Sequence, residues 1–191
     1  FNNETLWHSA GVAVPVFALR TDEGFGVGEF SDIKKLGDWA NDAKLSVIQI
    51  LPINDTTANY TWTDSYPYAA ISVYALHPQY LSVEKLDYVL PKKLVKEYQD
   101  KKAELNALSL IDYEQMISGK WKFAKAVFEE NQEGILKDKN FKKFIKDNEE
   151  WLMPYSAFCV LRDKYKTPNF NDWKTHKKFV AGKVATLYSP K

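Results

Sequence analysis

The sequence predicts an α/β chain poor in strands, with one βαβ unit near its start and a large helical portion after it. Three observations carry that prediction. Two apolar runs, residues 11–19 and 46–51, bracket a single amphipathic stripe, and the texture of the chain changes near residue 90. Before that point β-branched residues, Gly and Pro are frequent; beyond it Lys, Glu and Asp recur at helical spacing.

Residues 11–19, GVAVPVFAL, read as a strand covered on both faces, because the run is almost continuously apolar. Pro15 interrupts its ladder, having no N–H to donate. Residues 21–30, TDEGFGVGEF, then place Gly24, Gly26 and Gly28 between strand and helix. A dinucleotide fingerprint counted from Gly24 needs glycine at 29, where this chain has Glu29, a carboxylate at the helix N-terminus that a pyrophosphate would occupy. The glycines therefore read as freedom for a tight βα loop. Ser31 is placed to cap a helix whose Ile33, Leu36, Trp39, Ala40 and Ala43 fall on one stripe. A second buried-looking strand, residues 46–51, is stopped by Pro52. Strand, helix and strand at this spacing predict parallel pairing with a right-handed crossover.

From Pro91 onward four or five helices are expected. Leu94, Val95 and Tyr98 share one face; Trp121, Ala124, Val127 and Phe128 share another; Trp151, Leu152, Tyr155, Phe158, Cys159 and Arg162 form a third stripe. The division expected is residues 1–90 for strands and loops, and 91–191 for a mainly helical subdomain. The chain starts at Phe1 and stops just after Ser189-Pro190, which reads as a piece of a larger protein.

Composition excludes several partners. With 26 Lys+Arg against 25 Asp+Glu there is no basic field for a phosphate backbone, so nucleic acid is not an expected partner. The apolar runs fall far short of a membrane span of roughly 20 residues. Cys159 is the only cysteine, which rules out an intrachain disulfide and a cysteine zinc cluster and fits a reducing cytoplasm.

The richest chemistry lies at residues 51–81, LPINDTTANYTWTDSYPYAAISVYALHPQYL, directly after the second strand. Loops at that end of parallel strands converge on one face, where ligands gather. Asn54, Asp55, Asn59, Thr61, Asp64 and Ser65 alternate there with Tyr60, Trp62, Tyr66 and Tyr68. Sugars suit such a mixture: hydroxyls pair with planar polar groups, and the C–H face of a pyranose packs on a ring. A loop whose aromatics merely cover the sheet accounts for the composition equally well.

Ordered motifs then identify a resemblance. Residues 10–17 (AGVAVPVF), 26–30 (GVGEF), 51–55 (LPIND), 62–68 (WTDSYPY) and 75–81 (ALHPQYL) together resemble the amylomaltase and disproportionating-enzyme family of 4-alpha-glucanotransferases, in its long branch. The later Phe158-Cys159-Val160-Leu161 and Phe170-Asn171-Asp172-Trp173 resemble it more loosely. The resemblance implies part of a (β/α)8 barrel with a large helical insertion, no metal or organic cofactor, and maltooligosaccharides and α-glucans as partners. It implies substrate contacts at Tyr68, Asp64, Ser65 and Trp62, and the polar mixture of the same stretch adds Asn54 as a candidate. Tyr66 departs from the short relatives, being inserted between Ser65 and Pro67. His77, where many short relatives have asparagine, reads as a packed or loop-anchoring histidine, and Arg20 as an organiser of its loop through an ion pair or as a substrate contact.

Family chemistry is a retaining double displacement, with two carboxylates about 5 Å apart across the scissile bond. No Asp or Glu of this chain matches them, so no catalytic residue is expected here, and Asp55 and Asp64 are assigned to sugar hydroxyls. The competing reading is a stand-alone glycan-binding or helical interaction module. Two apolar parallel strands argue against it, since an autonomous module needs the rest of a sheet to cover them. Unpaired edges on those strands would let the chain self-associate.

Overall fold

Pro15 sets where the first strand ends. The computed structural model describes residues 8–178 and Val180. Strand β1, Gly11–Val14, pairs in parallel with β2, Val47–Ile50, in the register Gly11↔Val47 through Val14↔Ile50. At Pro15 the ladder loses its donor and the chain coils into a 3-10 turn at Val16–Ala18. The strand expected over residues 11–19 is thus four residues long. Its faces also differ from expectation: Gly11, Ala13, Val47 and Ile50 are exposed. A sheet buries its faces only through layers packed above and below, and the described residues place just two strands in this sheet.

Helix α1, Asp32–Asp42, carries the chain from β1 to β2 and buries Ala40, while Trp39 stays half exposed. Ser31 does not cap it as expected; its hydroxyl lies 3.0 Å from that of Ser82. Asp32 organises this end instead. Its Oδ2 accepts from the Glu29 N–H at 2.8 Å and its Oδ1 from the Thr21 hydroxyl at 2.9 Å, placing a carboxylate in the first turn where the helix dipole favours it.

Four α-helices follow residue 90: α2, Lys92–Ala107; α3, Tyr113–Lys137; α4, Lys139–Asp147; and α5, Glu149–Tyr165. Asp112 caps α3 and Asp138 caps α4, each accepting the backbone N–H three residues on. The buried stripe of α3 runs through Tyr113, Met116, Ile117, Lys120, Phe123 and Val127, whose spacing follows the helical repeat and keeps one face inward. Phe128 and Val95, one position off their stripes, are exposed. Residue 179 and residues 181–191 of the expected helical subdomain lie outside the described residues.

The core runs across the expected boundary at residue 90. Phe25, from the glycine loop, is fully buried among α2 and α3, stacked on Tyr98 at 5.1 Å and edge-on to Phe123 at 5.9 Å. Val27 and Val83 join the same cluster. Two glycines make this approach possible. Gly26 has φ +74°, and a Cβ there would stand 2.6 Å from that of Leu105; a Cβ on Gly119 would stand 2.7 Å from the Phe25 ring. The glycine loop is therefore shaped by packing against helices.

One ion pair lies beneath it. Lys120 on α3 is 1% exposed and its Nζ donates to Glu29 Oε1 at 2.6 Å, to Gln79 O at 2.5 Å and to Leu81 O at 2.8 Å. All three donors of the ammonium are used. Burial pushes the Lys120 ammonium below its ordinary range, and the Glu29 charge opposes that shift.

Candidate functional site

Beyond β2 the chain doubles back on itself and forms a loop whose two limbs pair through their backbones. Asn54 and Leu76 make an antiparallel bridge, Asp55 N–H donates to Ala75 O at 2.8 Å, and His77 N–H to Ile53 O at 2.9 Å. The Asn54 amide donates to Val73 O at 2.9 Å, which ties the two limbs together.

Two carboxylates organise the interior of the loop. Asp64 is 4% exposed, and its Oδ2 accepts the N–H groups of Ala58, Asn59 and Tyr60 at 2.7–3.0 Å. Asp55, 1% exposed, accepts from Thr57 N–H at 2.9 Å and from the Tyr155 hydroxyl at 2.6 Å. Asp55 and Asp64, assigned from the sequence to sugar hydroxyls, are thus both buried and turned to partners within the protein. Three converging backbone donors draw the Asp64 carboxylate inward and allow Tyr60 to hold φ +59°, an unfavourable region for a bulky side chain.

The rings turn outward. Trp62 is 70% exposed, Tyr68 61% and Tyr66 60%, and the Tyr66 and Tyr68 rings sit 5.6 Å apart at a 52° tilt. Trp62 begins a 3-10 turn, Trp62–Ser65, in which the Ser65 hydroxyl donates to Trp62 O at 2.7 Å. The Ser65 oxygen keeps its lone pairs for a further donor. From α3, Glu114 accepts the Trp62 N–H at 2.8 Å. Spacing in the sequence carried no sign of Glu114 in this role. Glu114 also borders a cleft of about 400 Å³ between α3 and α5, lined by Tyr60, Trp121, Lys125, Arg162 and Lys166.

Other residues singled out in the sequence have structural partners. His77 is 2% exposed; its Nδ1 accepts from Gln79 N–H at 3.1 Å, and its Nε2 lies 3.2 Å from the Tyr113 hydroxyl. A backbone N–H can only donate, so the neutral ring carries its proton on Nε2. Burial pushes the imidazole below its ordinary value and keeps it neutral. Arg20 turns to the end of α2. Its guanidinium donates to the carbonyls of Leu105, Asn106, Leu108 and Ser109, in the last turn of α2 and just beyond it, where helix carbonyls lack intrahelical donors. Among the described residues no cluster of three His, Cys, Asp or Glu is placed to hold a metal ion, and no helix is long and apolar enough to cross a membrane.

Comparison with known proteins supplies the family. A model of the 4-alpha-glucanotransferase family matches residues 14–189. The chain is 42% identical over 186 residues to 4-alpha-glucanotransferase DPE2 of Oryza sativa subsp. japonica, covering 97% of this chain and 20% of that protein. It is 34% identical over 175 residues to the 4-alpha-glucanotransferase of Chlamydia muridarum, covering 86% of this chain and 31% of the relative. The chain therefore spans about a fifth to a third of the relatives it matches. Among solved structures, amylomaltase from Corynebacterium glutamicum superposes with a TM-score of 0.69 at 18% identity, over 94% of this chain and 26% of that one. That likeness gives the fold: this chain has the architecture of part of an amylomaltase. With the family model spanning nearly the whole sequence and relatives of the same name at both distances, the chain belongs to the 4-alpha-glucanotransferase family.

Proposed function

We propose that this chain is the first part of a (β/α)8-barrel 4-alpha-glucanotransferase, with residues 1–90 contributing the opening strands and loops and residues 91–191 a helical insertion packed on them. The whole enzyme transfers α-1,4-glucan segments between maltooligosaccharides or larger α-glucans by a retaining double displacement. It works in the cytoplasm, where the single free thiol of Cys159 stays reduced. This part contributes a sugar-binding surface, and the observation that carries the reading is the exposure of Trp62, Tyr66 and Tyr68 on a loop whose two buried carboxylates are held by its own backbone N–H groups. Such a loop holds its rings in water at a cost, which contact with the C–H face of a sugar removes.

On this reading Tyr68 and Trp62 touch the glucan directly and Ser65 offers a hydroxyl beside them. Asn54 and Asp64 hold the loop in shape, and Asp64 reaches a sugar only through its remaining oxygen. In the full-length enzyme, Tyr68→Ala is expected to lower kcat/KM by an amount equivalent to about 1–3 kcal/mol of transition-state stabilisation, with Trp62→Ala acting mainly on KM. Steady-state transfer from maltotriose measures both. Unchanged kinetics in both variants would remove the surface from the binding site.

Among the described residues β1 and β2 pair only with each other, and their outer edges carry a second expectation. Unpaired N–H and C=O groups on a parallel pair invite another strand, so the 191-residue chain alone is expected to self-associate. Sedimentation velocity over a range of concentrations checks this, and a strictly monomeric profile at the highest of them contradicts it.

A further inference from the structure

Helix α5 holds the aromatic loop from behind at two points separated by two turns. Near its start, the Tyr155 hydroxyl donates to Asp55 Oδ2 at 2.6 Å. Near its end, Arg162, only 3% exposed, spreads its guanidinium over three partners. Nη1 donates to Thr57 O, Nη2 to the Tyr60 hydroxyl at 2.6 Å, and Nε to Asp163 Oδ1 at 2.9 Å. The Tyr60 hydroxyl in turn donates to Asp163 at 3.1 Å, and the Tyr60 ring lies 4.9 Å from the guanidinium carbon. Burial pushes the phenols of Tyr60 and Tyr155 up, so both remain protonated donors.

These contacts fall on the residues that set the course of the loop. Asp55 opens it, Thr57 follows at its first turn, and Tyr60 holds its strained φ of +59° two residues before Trp62. From Tyr60 the link to the rings is short. Asp64 Oδ2 accepts the Tyr60 N–H at 2.7 Å, and Asp64 lies in the same 3-10 turn as Trp62, just before Tyr66 and Tyr68. Without α5 the loop retains its internal carboxylate bonds, and the described contacts that still tie it to the helical layer come from α3: Glu114 at Trp62, and Tyr113 and Lys120 at its far limb.

We propose that Tyr155 and Arg162 of α5 are positioning residues for the glucan-facing surface, fixing Trp62 and Tyr68 through Asp55, Thr57 and Tyr60. The inference rests on the reading of that surface as the sugar site. It assigns the helical portion a part in substrate recognition without any direct sugar contact. Arg162 suits the role because a planar guanidinium fork serves a carbonyl, a phenol and a carboxylate at fixed angles, which a lysine cannot reproduce.

The test uses the full-length enzyme with Tyr155→Phe, which removes one hydroxyl and keeps the ring, and Arg162→Lys, which keeps the charge and loses the fork. Each is made in the wild-type background and in a Trp62→Ala, Tyr68→Ala background, with Tm, kcat and KM for maltotriose measured throughout. In wild type each variant is expected to raise KM about 5-fold with kcat nearly unchanged, the effect of one lost net hydrogen bond on placement of the rings. In the ring-deleted background the same substitutions are expected to change KM less than about 2-fold, because the groups they position are gone. A fall in Tm with unchanged KM, or an equal KM rise in both backgrounds, overturns the positioning role alone. Unaltered kinetics in the ring-deleted enzyme itself overturns the surface reading and this inference together.

Discussion

Replacing Lys120 with methionine is expected to destabilise the protein by about 3–5 kcal/mol, the cost of removing one member of a buried ion pair. The Glu29 carboxylate, 3% exposed, would be left with the Phe25 N–H at 3.2 Å as its only remaining partner among the described contacts. The carbonyls of Gln79 and Leu81 would lose a donor in the same step. Methionine fills nearly the same volume, so the loss reports electrostatics more than a cavity. Glu29→Leu combined with Lys120→Met should recover part of the stability, since no charge is then stranded, but the two carbonyls prevent full recovery. Denaturant titration of the single and double variants reads both values. A loss below about 1 kcal/mol for Lys120→Met would mean that water reaches Glu29, contrary to its burial.

The same ion pair marks the limit of what was legible in the sequence. Both ends were visible as residues, but the pairing joins positions 29 and 120, and no local pattern connects them. Local features were read more successfully. Periodicity marks α1 and the stripes that lie in α2, α3 and α5, though it names no stripe for α4, and the parallel pairing of β1 with β2 follows from strand, helix and strand at short spacing. The length of β1 was misread because the apolar run continues past Pro15, although Pro15 itself was the sign that the ladder stops. The glycine loop was read as a tight turn. Its tightness comes from Phe25 entering the helical core and from Gly26 and Gly119 admitting that approach, contacts between residues far apart in the chain.

Within the candidate site the division between rings and carboxylates has a similar cause. Alternation of polar and aromatic residues at 54–68 is the same whether a carboxylate faces a sugar or turns inward to collect backbone N–H groups. Asp64 does the latter, to donors four to six residues earlier. Short-range side-chain to backbone bonding by Asp is common in loops and was the available signal. Arg20 and Arg162 had no such signal. Each serves carbonyls 85 or more residues distant, which only the folded chain brings within reach.

Incubated with maltotriose, the 191-residue chain alone is expected to release no glucose and to build no longer maltooligosaccharides, while the proposed function has the intact protein do both. Retaining transfer needs a nucleophile and an acid/base about 5 Å apart on either side of the scissile bond, both open to the substrate. The carboxylates nearest the aromatic surface fail that requirement. Asp55 and Asp64 are buried and already accept from backbone N–H groups, and Asp55 also accepts from Tyr155, so neither is free to attack an anomeric carbon or protonate a leaving oxygen. Glu114 accepts the Trp62 N–H, and no second carboxylate stands with it among the residues that line its cleft except Asp163, which is held by Arg162 and Tyr60. The chain also spans only 20% of the length of its rice relative, which leaves most of the enzyme to supply the reacting groups. Removing a catalytic carboxylate pair takes away more than positioning can restore, so the expected result is loss of turnover below detection rather than a reduced rate. Chromatography of the products against the full-length protein decides it, and transfer by the chain at a rate comparable to full length would place both catalytic carboxylates within residues 1–191.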